Sequence, residues 1–170
     1  MAKQSKIKTN AMRLLDRRHI PYTAFTYAET LHSAPEVAQA LGVPAGQLFK
    51  TLVVFADEGR HLLVALPGNR ELEPRLVARE VGAKQVRMAP QREAERLTGL
   101  KVGGISPLAL LDKPFEIYLD ASATGLDELY INGGQRGLNL RLRVADLLAV
   151  TGATIIQATA NQPQADEAEA

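Results

Sequence analysis

Three short segments of this chain carry the residue types that can hold a small polar group. They are Leu48-Phe49-Lys50-Thr51-Leu52, Lys101-Val102-Gly103-Gly104-Ile105-Ser106-Pro107, and Tyr130-Ile131-Asn132-Gly133-Gly134-Gln135-Arg136-Gly137-Leu138. Glycine lets a backbone approach a ligand closely and take positive φ, so two such loops can aim several N–H groups at one anionic or carbonyl oxygen. Taken singly, each Gly-Gly also fits a plain turn between strands. Lys50 offers a similar choice: a stem packed at the end of a buried strand with its amine in a cleft, or a snorkelling surface lysine.

Other chemistries find no support. With no cysteine there is no disulfide, thiolate metal site or protein thiol nucleophile. His19, His32 and His61 are spaced like no metal motif, so no metal and no cofactor is expected. Ser106 runs straight into Pro107 and no Gly-x-Ser-x-Gly occurs, which argues against a serine hydrolase. The Gly133–Gly137 segment leads into an apolar strand rather than a helix, unlike a phosphate-binding fingerprint. Glu71/Glu73 and Asp127/Glu128 sit in polar surroundings and read as solvated, not as a glycosidase pair. What remains is Lys50, Tyr27, the Gly103-Gly104 backbone and the Asn132–Arg136 loop. Such a set can position a substrate and stabilise charge on a carbonyl oxygen without a covalent nucleophile.

The elements that must position these residues follow from the apolar pattern. Ala11, Met12, Leu14 and Leu15 form a helical stripe ended by Ile20-Pro21, and Tyr22–Tyr27 reads as a strand. Ser33-Ala34-Pro35-Glu36 is a capping box that opens a helix over Ala34–Leu41, with Gly42 as its stop. Phe49–Ala56 and His61–Leu66, joined by Asp57-Glu58-Gly59-Arg60, form the clearest hairpin, apolar enough to lie mid-sheet with both faces covered. Helices are expected over Glu73–Val81, Arg92–Leu97 and Val144–Val150, and strands over Gln85–Met88, Phe115–Asp120, Glu128–Asn132, Leu138–Leu142 and Ala153–Ile156.

This order lacks strict βαβ alternation, so the expected fold is α/β of the α+β kind: a mixed, mainly antiparallel, barrel-like β-sheet flanked by helices. One domain is expected over residues 1–158, followed by a disordered tail over 159–170. The apolar fraction of 46% and charged fraction of 23% suit a soluble domain, and no run approaches the roughly 18 apolar residues of a membrane span, so a cytoplasmic location is expected. Net charge is only +1, too small for a tight free-standing nucleic-acid binder. The acids of the last ten residues account for part of this, leaving 20 basic against 16 acidic residues in the preceding body, a mild bias toward anions.

Tyr27, Phe49-Lys50-Thr51-Leu52, Thr98-Gly99-Leu100-Lys101-Val102-Gly103-Gly104-Ile105-Ser106-Pro107 and Gly133-Gly134-Gln135-Arg136-Gly137-Leu138 together resemble the YbaK branch of the aminoacyl-tRNA editing superfamily. That branch is related to the inserted editing domain of bacterial prolyl-tRNA synthetases. The similarity covers about residues 10 to 158, and three coincident motifs are more specific than any one. It implies a trans-editing deacylase that hydrolyses the ester between a wrong amino acid and the terminal ribose of tRNA, with Cys-tRNA(Pro), and often Cys-tRNA(Cys), as substrate. The expected partners are mischarged tRNA and prolyl-tRNA synthetase.

By the same resemblance, the Lys50 amine contacts the terminal adenosine or its phosphate and Tyr27 walls the pocket. N–H groups near Gly103 and Gly104 hold the aminoacyl part, and the Gly133-Gly134 loop borders the 3′ end. Thr51, Ile105, Ser106, Asn132, Arg136 and Asn139 complete the substrate-binding set. The thiol of a cysteinyl substrate can attack its own ester carbonyl, a lyase-like route suited to a protein without a nucleophile. Two departures bear on specificity: Asn132 stands where the family commonly has Ser, and Asn139 where it commonly has Asp. The alternatives are a non-catalytic module binding a tRNA end or nucleotide, and a deacylase for Ala- or Ser-charged tRNA.

Overall fold

The computed structural model describes residues 8–31 and 33–160. The chain opens with helix α1 (Asn10–Arg17), whose first turn is closed by Thr9: its hydroxyl accepts the Met12 N–H. Strand β1 (Thr23–Thr26) follows, then α2 (Ala34–Leu41), which carries the expected reciprocal Ser33–Glu36 capping box and ends at Gly42 in the left-handed region. The central hairpin is β2 (Phe49–Ala56) and β3 (His61–Pro67), in register from Phe49 opposite Pro67 to Phe55 opposite His61. Next come α3 (Pro74–Val81), β4 (Val86–Met88), α4 (Gln91–Thr98) and β5 (Glu116–Asp120). The chain closes with β6 (Glu128–Asn132), β7 (Leu138–Arg143), α5 (Val144–Thr151) and β8 (Thr154–Ile156).

Two sheets form. The larger has the order β4-β2-β3-β5-β8, antiparallel around the hairpin and parallel where β5 joins β3 and β8 joins β5. The smaller is antiparallel, with order β1-β7-β6. The mixed, mainly antiparallel architecture flanked by helices is the one expected, and its two sheets meet at the isolated bridge Leu48 to Tyr130, reinforced where Gln47 Nε2 donates to the Glu128 carbonyl. From that bridge β2 runs beside β6 while it pairs with β3, so the two sheets pack together there.

The near-continuous apolar run of β3 is explained by cover on both faces. Leu62, Val64 and Leu66 pack with Val77 and Ala78 of α3, while Leu63 packs with Ala94 of α4, Ile105 and Leu110. Each of these fully buried leucines stabilises the fold by about 1.5–3 kcal/mol relative to exposure. A third core, under the small sheet, collects Ala11, Met12 and Leu15 of α1 with Leu129, Ile131, Leu140 and Leu147. This cover on both faces fixes the edge from which Lys50 projects.

The C-terminal end is tied down by a buried acid. Asp120, 1% exposed, accepts the N–H groups of Ala158 and Thr159 at 2.9 and 3.1 Å through Oδ1, and the Ser122 hydroxyl at 2.6 Å through Oδ2. Thr159, assigned from sequence to the tail, is buried and bridges to Leu72. Residues 161–170 of that expected tail lie outside the described residues, as does His32. No helix among the described residues is long and apolar enough to cross a membrane.

Candidate active site

Lys50 is the second residue of β2, at the end of the sheet, where strand alternation buries Phe49 to 2% exposure and turns the lysine to the opposite face. Its amine lies 3.3 Å from Glu71 Oε2 and 3.5 Å from the Gly68 carbonyl. Gly68 extends the hairpin ladder by one bond, donating its N–H to the Leu48 carbonyl at 2.8 Å. Only glycine fits there, because a Cβ would stand 2.5 Å from that of Ala34.

Opposite Lys50, the two glycine loops are stapled together by side chains. The Asn132 amide donates to the carbonyls of Gly103 (2.7 Å) and Gln135 (3.0 Å), while its oxygen accepts the Gly134 N–H (2.6 Å). Arg136 Nε donates to the Val102 carbonyl at 2.8 Å, and the Val102 N–H donates to Glu95 Oε2 at 2.8 Å. That last bond holds the Glu95 carboxyl below its ordinary pKa.

The N–H groups of Gly103, Gly104, Gly133 and Gly134 divide between loop structure and the cavity. Gly104 donates to the Lys101 carbonyl, Gly133 to the Leu138 carbonyl and Gly134 to Asn132. Three of the four N–H groups are thus spent holding loop shape, because a tight glycine turn satisfies its own backbone first. The Gly103 N–H has no hydrogen-bond partner among the described residues.

A cavity of about 520 Å³ opens between the loops and the lysine. Of the sequence-derived set, Tyr27, Lys50, Thr51, Gly103, Ile105, Asn132, Arg136 and Asn139 line it. Gly104, Ser106, Gly133 and Gly134 do not. Ser106 is fully buried, its hydroxyl accepting the Leu108 N–H to cap a 3-10 turn at Pro107–Ala109. Gly104 and Gly133 give close packing: a Cβ would meet Arg136 N at 2.8 Å in the first case and Leu138 Cδ2 at 2.8 Å in the second.

Polar capacity is left over inside the cavity. Asn139, 3% exposed, donates its amide to the Tyr27 hydroxyl at 3.2 Å, while its Oδ1 is buried without a partner, as is Thr51 Oγ1. Buried polar groups are ordinarily paired, so these two atoms are exceptions at the cavity wall. Burial pushes the Tyr27 phenol above its ordinary pKa of 10, opposed by its bond to Asn139, so it stays a neutral hydroxyl near neutral pH. Thr51 lacks a base at its hydroxyl, so no activated side-chain nucleophile is formed there.

Sequence reasoning missed Gly68, quoted Gly137 only as part of the loop motif, and read Glu71 as solvated, which its 85% exposure bears out. A Pro67-Gly68-Asn69 turn at the end of β3 was the available signal for Gly68. Gly137, at φ 79°, admits the end of β1: a Cβ would stand 2.9 Å from the Tyr27 carbonyl. His61, between Phe55 and Phe115, packs away from this cavity.

Comparison with known proteins places this geometry in a context. Residues 28–150 match the model of the aminoacyl-tRNA editing domain. The chain is 32% identical over 162 residues to EbsC of Enterococcus faecalis, provisionally assigned as a Cys-tRNA(Pro)/Cys-tRNA(Cys) deacylase, covering 94% of this chain and 98% of that one. It is 35% identical over 102 residues to the proline–tRNA ligase of Shouchella clausii, covering 60% of this chain but only 18% of the ligase. Among solved structures, one provisionally described as a trans-editing enzyme for prolyl tRNA synthetase superposes with TM-score 0.77 at 29% identity, covering 92% of this chain and all of the other. The hypothetical protein APE2540 superposes with TM-score 0.82 at 25% identity, over 89% of this chain and 100% of its own.

Proposed function

This chain belongs to the aminoacyl-tRNA editing family, and on that premise we propose that it is a trans-acting deacylase that removes cysteine from mischarged tRNA(Pro), and also from tRNA(Cys). The observation that carries this reading is the single cavity lined by the Lys50 amine, the Gly103 backbone and the Tyr27–Asn139 pair. Those groups orient an ester and meet developing charge on its carbonyl oxygen, and none is a nucleophile paired with a base.

In this reading Lys50 takes the phosphate or ribose of the terminal adenosine, and the Gly103 N–H faces the carbonyl oxygen. Asn139 Oδ1 and the Thr51 hydroxyl receive the polar groups of the aminoacyl part. The attacking atom comes from water or from the cysteinyl thiol. For the thiol, an S–C bond forms at the carbonyl, the C–O bond to ribose breaks, and the thiol proton passes to the ribose oxygen. With net charge only +1, the protein works on tRNA already gripped by prolyl-tRNA synthetase.

The test is a panel of tRNA(Pro) charged with Cys, Ala, Ser or Pro, plus Cys-tRNA(Cys), assayed with and without prolyl-tRNA synthetase. Fast loss of Cys with Pro-tRNA(Pro) spared is the expected result. Preference for the Ala or Ser ester would move the substrate, and tight tRNA binding without turnover would make the chain a binding module.

A further inference from the structure

The Lys50 amine sits at the cavity wall already paired with an anion. Half of its cage is fixed, since Gly68 is wedged against Ala34 and its carbonyl lies 3.5 Å from Nζ. The other half is loose: the Glu71 side chain is 85% exposed, against 27% for Lys50, and its carboxylate reaches the amine at 3.3 Å from outside the cavity lining. An ion pair this open is weak and screened, so a better anion displaces it readily.

We propose that Glu71 is a competing anion built beside Lys50, holding the seat that a nucleotide phosphate takes when the tRNA end enters. The proposal rests on Lys50 being the phosphate contact in the reading above. A phosphate and the Glu71 carboxylate cannot share one amine without crowding like charges, so binding is an ion exchange. A phosphate on a tRNA end arrives with the binding energy of the whole strand and wins this exchange. A free mononucleotide has only its own contacts and wins it less often. After hydrolysis the uncharged tRNA still carries its phosphate, and recapture of Lys50 by Glu71 speeds its release. Glu71 is therefore a positioning residue, acting through Lys50 on affinity rather than on the ester.

The test is a calorimetric titration of adenosine 5′-monophosphate into wild type, Glu71→Gln, Lys50→Ala and the double variant, at low and physiological salt. Glu71→Gln should bind the nucleotide about two- to five-fold tighter than wild type, the range of an exposed ion pair. That gain should shrink with salt and vanish in the Lys50→Ala background. In deacylation assays the same variant should lower KM by a similar factor while kcat changes less than about two-fold. Equal affinities of wild type and Glu71→Gln, undetectable binding to both included, would overturn the proposal. So would a gain that persists without Lys50, since it would show a general field effect. If the Glu71 dependence appears but wild type hydrolyses no mischarged tRNA, the ion exchange stands and the deacylase reading fails.

Discussion

The Asn132 side chain donates to the Gly103 carbonyl at 2.7 Å, joining two loops that the sequence places far apart. Its second amide hydrogen holds Gln135 and its oxygen holds Gly134, so one side chain sets the shape of the whole wall opposite Lys50. Asn132→Ala should cost about 1–3 kcal/mol and lower deacylation about ten-fold or more, since three backbone groups lose their partner. Asn132→Asp should be worse than Asn132→Ser, because a carboxylate turns an acceptor toward the Gly103 and Gln135 carbonyls. Melting temperatures of the three variants give the order. A melt in which Asp is tolerated better than Ser would mean the amide is not the pin.

Lys50→Ala separates function from fold. Its Glu71 partner is largely exposed, so loss of the pair should change stability by less than about 1 kcal/mol. Deacylation should fall about 100-fold or more, the scale of removing one charge-stabilising donor. Single-turnover assays at saturating enzyme check this, with circular dichroism confirming the fold. Retained turnover would move the chemistry to the loops.

Local elements were legible because their signals are local. The Ser33–Glu36 box, the Gly42 stop and the hairpin around Asp57-Glu58-Gly59 all appear where the residue types demand. Lys50 was legible as an anomaly, a cation opening an apolar strand. The parallel joins were not legible, because β5 meets β3 through pairs such as Leu62–Glu116 that share no local pattern. Asn132 and the paired loops were visible as candidates, but their internal hydrogen bonds depend on a contact no spacing encodes. Asp120 was missed for a related reason: an aspartate ending a strand looks solvated until a distant strand closes over it.

Asp120 should matter for stability and not directly for catalysis. It accepts the backbone N–H groups of Ala158 and Thr159 while 1% exposed, and it lies outside the cavity. Asp120→Ala should cost about 2–4 kcal/mol, as hydrogen bonds to a charged group are lost and buried donors are left bare. Hydrogen exchange should accelerate first at 158 and 159. Activity per folded molecule should change little, and a selective loss of kcat in fully folded protein would contradict this assignment.

A second acid predicts pH dependence. Glu116 receives two bonds from Arg60, at 2.8 and 2.7 Å, and one from the Tyr118 hydroxyl at 2.7 Å. The Arg60 bonds hold its carboxyl below the ordinary value of 4.5, against partial desolvation. A depressed carboxyl stabilises the fold above its unfolded pKa and loses that contribution as pH falls through the folded value. The loss should therefore begin below about pH 4.5, and Glu116→Gln should flatten that acid limb while costing stability at pH 7. The effect is modest because the Glu116 side chain is 37% exposed. Urea melts from pH 7 to 3 test it, and parallel acid limbs for the two proteins would remove Glu116 as a contributor.

Gly104 offers the sharpest steric test of the wall, since its N–H is spent on Lys101 and its remaining role is closeness. A Cβ there would meet Arg136 N at 2.8 Å and the Gln135 backbone at 3.0 Å, atoms that Asn132 and Arg136 hold in place. Gly104→Ala must therefore push the two loops apart, costing about 1–3 kcal/mol as overpacking does. The displacement also moves Gly103, so turnover should fall by more than the stability loss explains. Gly125→Ala is the matched control, with nothing within 4 Å of its Cβ and no left-handed φ. It should be neutral or stabilising by about 0.4–1 kcal/mol through the unfolded chain. If both variants melt and turn over alike, the close contact between the loops is not what shapes the site.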